Sequence, residues 1–459
     1  MTRLRIATTR TFRSLRNPNY RRYFVGQTIS MTGTWMQTVG QMWLVLRLSG
    51  SPIALGVTTA LQFTPILLFG MWGGMIADRF DKRKVLLFTQ GAAALLAAGL
   101  AVATATGHVT IAMVYTFAFL WGLVIAVDNP TRQSFVAELV EVEDLANAVG
   151  LNSTIITAAR TAGPALAGVV ITLVGVAACF ALNAASYLAV IVALVRMDRR
   201  RAGAVGVAPR SNRALRDALI YVWRTPVLRS TLLLMAVVGT FAFNFRLTVP
   251  LLAEKVFDGG AGAYGMLSAM LGLGTLIGAL GSAHAARPSR RLLLGSALAF
   301  GSLTLVTAAA PTLLWAAGVI VPTGAASIVF AATANTMLQT EATPAMRGRV
   351  MALHGIVFLG STPVGGPLVG WIAAGLGTRA AVALGGAATL AAATISLRGK
   401  LRREAIRVWT NRSTSSRGRS PRYGAAARRG FVRDQRRAGG VPSSRRDRPR
   451  RSSQRTPPR

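Results

Sequence analysis

Residues 74–84 read Gly74-Met75-Ile76-Ala77-Asp78-Arg79-Phe80-Asp81-Lys82-Arg83-Lys84. On either side of this charged loop lie the apolar stretches 53–76 and 85–106. Each is long enough to cross a bilayer as a helix of about 20 residues. A basic loop between two such stretches is what a helical hairpin presents at a membrane surface.

The alternation repeats outward in both directions. Twelve spans are expected: 23–46, 53–76, 85–106, 109–127, 146–173 and 175–195, then 230–253, 263–284, 291–309, 312–335, 350–374 and 379–397. Only 15% of the chain is charged, against about 25% for an average soluble protein, and those charges crowd into a few loops. Helices are the expected form, because lipid leaves no partner for free backbone groups and no period-2 barrel pattern appears. The fold class is an all-α membrane protein of two six-helix halves. Its expected parts are a cytoplasmic N-terminus (1–22), an N-terminal half (23–195), a basic cytoplasmic linker (196–229), a C-terminal half (230–397) and a disordered Arg-rich cytoplasmic tail (398–459). The first 22 residues are basic and run directly into a long apolar stretch, so no cleavable leader is expected.

Orientation follows from the basic residues. With the N-terminus inside, the inner segments hold 47 of the 52, and the outer loops only Arg47, Lys255 and Arg379. Setting the whole tail aside still leaves 26 inside against 3 outside. Both termini are therefore expected in the cytoplasm, with the chain multi-pass in a bacterial inner membrane. An internal echo links the halves: Gly163-Pro164-Ala165-Leu166-Ala167-Gly168 in the fifth span and Gly366-Pro367-Leu368-Val369-Gly370 in the eleventh lie 203 residues apart. That is the spacing of a parallel duplication.

The loop 74–84 resembles the signature of the major facilitator superfamily, G-x-L-A-D-R-x-G-R-[RK]-x-x-[LI], with Ile76 for Leu, Asp81 for the second Gly and Lys82 for Arg. The resemblance implies that Gly74 permits close helix approach. It also implies that Asp78, with Arg79 and Arg83 beside it, pairs at the inner edge as a gate. Gly163, Pro164 and Gly168 resemble the superfamily's antiporter motif in reduced form, and Gly366 with Pro367 repeats it. Asp128-Asn129-Pro130-Thr131-Arg132 after span four and Arg347-Gly348-Arg349 before span eleven resemble the drug and siderophore exporter branch. That branch implies secondary-active export, by proton antiport, of hydrophobic or aromatic compounds such as drugs, antibiotics or siderophores; the superfamily resemblance implies a monomer, and no cofactor is expected.

The substrate cavity is expected between the halves. Span one offers Gln27, Ser30, Thr34, Thr38 and Gln41 on one helical face, with Gln37 beside it and Trp35 off it. Such a stripe either lines the cavity or hydrogen-bonds between helices. Arg160 and Arg246, the latter beside Asn244, lie inside spans, where a charge is costly and needs a partner or a wet cavity. No Asp or Glu falls mid-span by these boundaries; Asp78, Asp128 and Glu138 map to the inner edge. His284 and His354 remain as titratable groups near span ends.

No catalytic or metal site is expected, since Cys179 stands alone and the three His are scattered. No G-x-x-x-x-G-K-[ST] loop occurs, which argues against an ATP-driven pump. An importer of a small polar solute and a non-transporting membrane sensor stay open. The tail, with 21 basic residues, reads three ways: contact with anionic lipids, nonspecific nucleic-acid binding, or a frameshifted GC-rich reading without a role.

Overall fold

The computed structural model describes residues 12–198, 214–284 and 289–417. The N-terminal half comprises α1 (Pro18–Ser49), α2 (Pro52–Arg79), α3 (Lys82–Ala105), α4 (Ile111–Leu139), α5 (Val142–Leu173) and α6 (Val176–Val195). A short linker helix, α7 (Ala214–Arg224), precedes the C-terminal half. That half begins with an interrupted crossing, α8 (Pro226–Phe241) and α9 (Phe245–Leu251), and continues through α10 (Gly260–His284), α11 (Arg290–Ala308), α12 (Leu313–Glu341), α13 (Pro344–Leu376) and α14 (Thr378–Arg417).

Eleven crossings among the described residues are long and apolar enough to span a membrane, the α8–α9 region counting as one. The twelfth is α1, whose Gln, Ser and Thr residues lower its hydropathy. Twelve crossings return the chain to the side on which α1 begins, here called the terminus side.

Local chemistry explains the helix ends. The Asn17 side chain accepts hydrogen bonds from the backbone N–H groups of Asn19 and Tyr20, with Pro18 opening α1. Gly50 closes that helix at φ +61°, a backbone conformation open to glycine. Asp81, which replaces the glycine of the superfamily loop, caps α3 by accepting from the Lys84 N–H at 3.2 Å. Thr110 and Thr312 cap α4 and α12 in the same way.

Three crossings differ most from expectation. The fourth crossing was expected to end at 127, where the apolar run stops; α4 continues to Leu139, because backbone pairing does not end with hydrophobicity. The seventh breaks at Ala242–Asn244 and finishes in a π-helical turn, Leu252–Val256. The last was expected to end at 397 but runs as helix to Arg417, into the segment expected to be a disordered tail. Residues 418–459, and with them most of the readings given for the tail, lie outside the described residues, as do 1–11 and 199–213.

Packing within the N-terminal half rests on small residues. Gly26, Gly33 and Gly40, seven apart on α1, bring it against α6. A Cβ on Gly26 would stand 2.9 Å from the Ala189 carbonyl oxygen, and one on Gly40 3.1 Å from the Cys179 Cβ. In a bilayer, helices associate through such close packing and interhelical hydrogen bonds.

The halves meet on the side away from the termini. A Cβ on Gly56 of α2 would lie 2.5 Å from the Gly366 carbonyl oxygen of α13, and one on Gly370 would lie 2.6 Å from the Pro52 carbonyl oxygen. Between α5 and α10, a Cβ on Gly168 would lie 2.9 Å from the Gly265 Cα. The two sequence echoes therefore occupy equivalent places, each letting one half press its backbone against the other. On the terminus side no such glycine contact joins the halves: a Cβ on Gly74, Gly150, Gly281 or Gly355 would meet nothing within 4 Å.

Candidate functional site

Between the halves lies a cavity of about 360 Å³. Its lining combines Trp35 and Thr38 of α1, Phe63 of α2, Arg160 and Pro164 of α5, and Phe243, Asn244, Phe245 and Arg246 around the break in the seventh crossing. Tyr264 of α10 and Phe358 of α13 complete the wall. The break matters because it frees the chain from helical register at Phe243 and Asn244 and turns Arg246 toward the centre.

Trp35 is the hub. The Arg160 guanidinium lies 5.0 Å from its ring centroid and that of Arg246 5.3 Å, with Arg246 also 5.1 Å from the Phe63 ring. Such distances are those of cation–π contacts. Arg246 donates through Nη1 to Gln62 Oε1 at 2.9 Å. Also in the lining, Phe243 stacks on Phe300 with centroids 5.5 Å apart, and meets Phe358 edge-on at 6.0 Å.

The cavity thus receives Arg160, Asn244, Arg246, Pro164 and Thr38 from the expected residues. The rest of the α1 stripe is elsewhere, and its expected place in the cavity is corrected. Gln37 is buried and accepts from Asn183 Nδ2 of α6 at 2.7 Å. Gln27 is buried and donates to the Tyr23 hydroxyl at 2.8 Å, within its own helix. Thr34 lies 3.4 Å from the Tyr187 hydroxyl, and Gln41 is buried outside the cavity lining. Thr34 and, beside the stripe, Gln37 bond to α6, while Gln27 and Thr38 bond within α1; Trp35, which lines the cavity, lies off the stripe. Periodicity shows which residues share a face; it does not show which neighbour that face meets.

Among the acids, Asp128 is the buried one: it is 1% exposed, inside α4. Its Oδ1 accepts from Thr89 Oγ1 and Gln90 Nε2, both at 2.8 Å, and its Oδ2 lies 3.8 Å from Arg132 Nε. Arg132 also donates to Asn129 Oδ1 and to Met31 Sδ of α1. A buried ion pair of this kind is held in place by its surrounding hydrogen bonds, and either member left alone would be costly.

On the terminus side the gating residues are only partly assembled. Gly74 does not make the close approach expected of it; Gly73, one residue earlier, packs against the Ala126 backbone of α4 instead. Asp78 is exposed in the last turn of α2, and among the described residues no ion pair involves it. Its expected pairing is thus not made in this conformation. Lys82 pairs with Glu138 at 2.5 Å and Arg83 donates to the Val195 carbonyl at 2.9 Å, both within the N-terminal half. Arg349 pairs with Asp217 of α7 at 3.1 Å, and Arg347 donates to the Gln339 carbonyl at 2.8 Å. His354 stacks on Phe358, its Nε2 buried without a hydrogen-bond partner. The side chain of His284 lies outside the described residues.

Comparison with known proteins agrees with this architecture. The sequence profile of the family described as "Transmembrane secretion effector" matches residues 9–421. The staphyloferrin A transporter of Staphylococcus aureus (strain NCTC 8325 / PS 47) is 27% identical over 262 residues, 56% of this chain and 65% of that protein. The chain thus spans just under two thirds of that relative. The enterobactin exporter EntS of Salmonella choleraesuis (strain SC-B67) is 26% identical over 368 residues, 78% of this chain and 86% of that one. Among solved structures, the nucleoside transporter NupG superposes with a TM-score of 0.65 at 13% identity, covering 83% of this chain and 98% of that one. A bacterial homologue of the iron transporter ferroportin in its inward-facing state gives 0.65 at 13% identity, with 83% and 98% covered. Those likenesses speak to the fold. The chain is a multi-pass membrane transporter for a small-molecule substrate, and it belongs to the transmembrane secretion effector family of the major facilitator superfamily.

Proposed function

We propose that this transporter is a secondary-active exporter of medium-sized hydrophobic or aromatic compounds such as drugs, antibiotics or siderophores, driven by proton antiport. The observation that carries the reading is the central cavity: it is walled by aromatic rings, sealed toward one side by glycine contacts and open along the other. The charge distribution of the loops supports an orientation with the open side, and both termini, in the cytoplasm. The described conformation is then inward-facing, ready to load from inside. The names of the relatives, an enterobactin exporter and a staphyloferrin A transporter, support a siderophore-like cargo.

Asp128 is the carboxylate best placed to carry the proton. It is buried and bonded to α3, and it pairs with Arg132, which contacts α1. Protonation would release Arg132 and loosen the contact between α4 and α1, a change that could be transmitted to the α1 face at Trp35. Asp78 would re-form its gate pairing when the cytoplasmic side closes. The protein acts as a monomer in this scheme, since cavity and gates belong to one chain.

The test is transport in everted vesicles or proteoliposomes under an imposed proton gradient, with a panel of macrolides, hydrophobic cations and catecholates. Gradient-dependent accumulation by the wild type, lost in Asp128→Asn and reduced in Asp78→Asn, is the expected result. Uptake in the opposite direction would make the protein an importer. No movement of any compound by correctly oriented protein would leave only the fold.

A further inference from the structure

The cavity contains two cations and no anion. Arg160 comes from the N-terminal half and Arg246 from the C-terminal half, yet both guanidiniums lie within 5.3 Å of the same Trp35 ring centroid. Among the described residues neither forms an ion pair. Arg246 has one neutral acceptor, Gln62, while Arg160 Nε is buried with no hydrogen-bond partner. Ring faces offset part of the cost of desolvating two like charges, but they leave the in-plane N–H donors of Arg160 unused. Two like charges sharing one ring in a poorly solvated site also repel. A planar anionic group between them would satisfy both, since a guanidinium fork matches a carboxylate or catecholate edge.

We propose that the substrate is an aromatic organic anion whose charged group bridges Arg160 and Arg246, its rings lying against Phe243 and Phe358. This rests on the reading of the central cavity as the transport site and narrows its cargo from hydrophobic or aromatic compounds to anionic ones. Phe243 and Phe358 line the same cavity, and among the described residues neither ring takes part in a cation–π contact. Because the two arginines belong to different halves, the anion becomes a link between them, placed where the seam begins to close. The two contributions are then interdependent: with one guanidinium gone, the other holds the anion from one half only.

The experiment uses two dyes that share a xanthene skeleton and differ in charge, fluorescein (anionic) and rhodamine 6G (cationic). Binding to the full chain in nanodiscs is read by fluorescence anisotropy. Wild type should prefer fluorescein. Arg160→Gln and Arg246→Gln should each weaken fluorescein binding about tenfold to hundredfold, the range for a lost hydrogen bond to a charged group, and should not weaken rhodamine 6G. The double variant should fall short of the sum of the two losses. Arg160→Lys and Arg246→Lys keep the charge and should recover part of the affinity, which guards against a neutral variant that fails to fold. Arg47→Gln, at the exposed far end of α1, should leave binding unchanged.

A preference for rhodamine 6G, or fluorescein affinity indifferent to both arginines in folded protein, would overturn the proposal. The same dyes in vesicles separate it from the export reading. Arginine-dependent fluorescein binding without gradient-driven movement would sink export and keep the anion site. Gradient-driven rhodamine 6G efflux without fluorescein binding would do the reverse.

Discussion

In the N-terminal half, the space among α1, α3 and α4 is filled by Tyr23, Thr89, Gln90, Asp128 and Arg132. At the equivalent place in the C-terminal half, among the broken seventh crossing, α11 and α12, stand Phe243, Phe300 and Phe330, with ring centroids 5.5 Å and 6.2 Å from Phe243. Counted from Ile111 and Leu313, Asp128 and Phe330 are each the eighteenth residue of their helix. A duplicated scaffold has thus been given a charged, hydrogen-bonded interior in one half and an apolar aromatic one in the other. The aromatic interior extends into the cavity wall through Phe243, whereas the charged one stays behind α1. Under the proposed mechanism, the first half carries the proton-linked switch and the second supplies the aromatic part of the substrate contact.

The comparison is broken most severely at its charged side. Asp128→Ala leaves Arg132 buried without its partner and should destabilise the protein by about 3–5 kcal/mol. The double variant Asp128→Ala/Arg132→Met should recover much of that loss, while remaining unable to couple transport to a gradient. Chemical unfolding in detergent measures both, and a double variant no more stable than the single one would refute the pairing. On the aromatic side, Phe330→Ala should also cost about 3–5 kcal/mol, as a large-to-small change in a packed core does. Transport by the folded fraction should nonetheless keep its gradient dependence. If that dependence vanished instead, the division of labour between the halves would be wrong.

Overpacking the seal has a smaller expected cost. Gly168→Val would place a side chain against Gly265 and should destabilise by about 1–3 kcal/mol. Its clearer signature is a shift toward the conformation open on the sealed side, visible as increased labelling of a cysteine introduced on the cavity wall, in a Cys179→Ala background. The mildest change is Gln37→Leu. It removes one interhelical hydrogen bond, an interaction worth on average about 0.6 kcal/mol in a membrane protein. Substrate affinity should be unaffected, because Gln37 faces Asn183 and not the cavity.

These residues also mark how far the sequence could be read. The spans, the loop 74–84 and the paired Gly-Pro echoes were legible because hydropathy and helix packing in lipid leave few alternatives. Arg160 and Arg246 stood out because a charge inside a span demands a reason, and both line the cavity. The burial of Asp128 was not legible because the apolar run ends at Val127, while α4 carries on for three more turns with polar residues packed inward. Gln27 and Gln37 were assigned to the cavity because their spacing gives a face, and the neighbour of that face is decided by tertiary packing. Trp35 could have been found by noting that an amphipathic ring off the polar stripe must face something other than α6. The break at Ala242–Asn244, which presents Arg246, carries no proline or glycine within it to announce it.

The account turns on the two halves rocking about the cavity, with the glycine seam as one gate. Spin labels at Leu173 and Leu314 report the sealed side, and labels at Val149 and Ile277 report the open side; all four positions are exposed. Distances between them can be measured in nanodiscs, in the Cys179→Ala background, with and without substrate at low and high pH. The account expects the first distance to lengthen as the second shortens, in one population shift that Gly168→Val favours and Asp128→Asn alters. Distances that stay fixed, or that lengthen together, would contradict it.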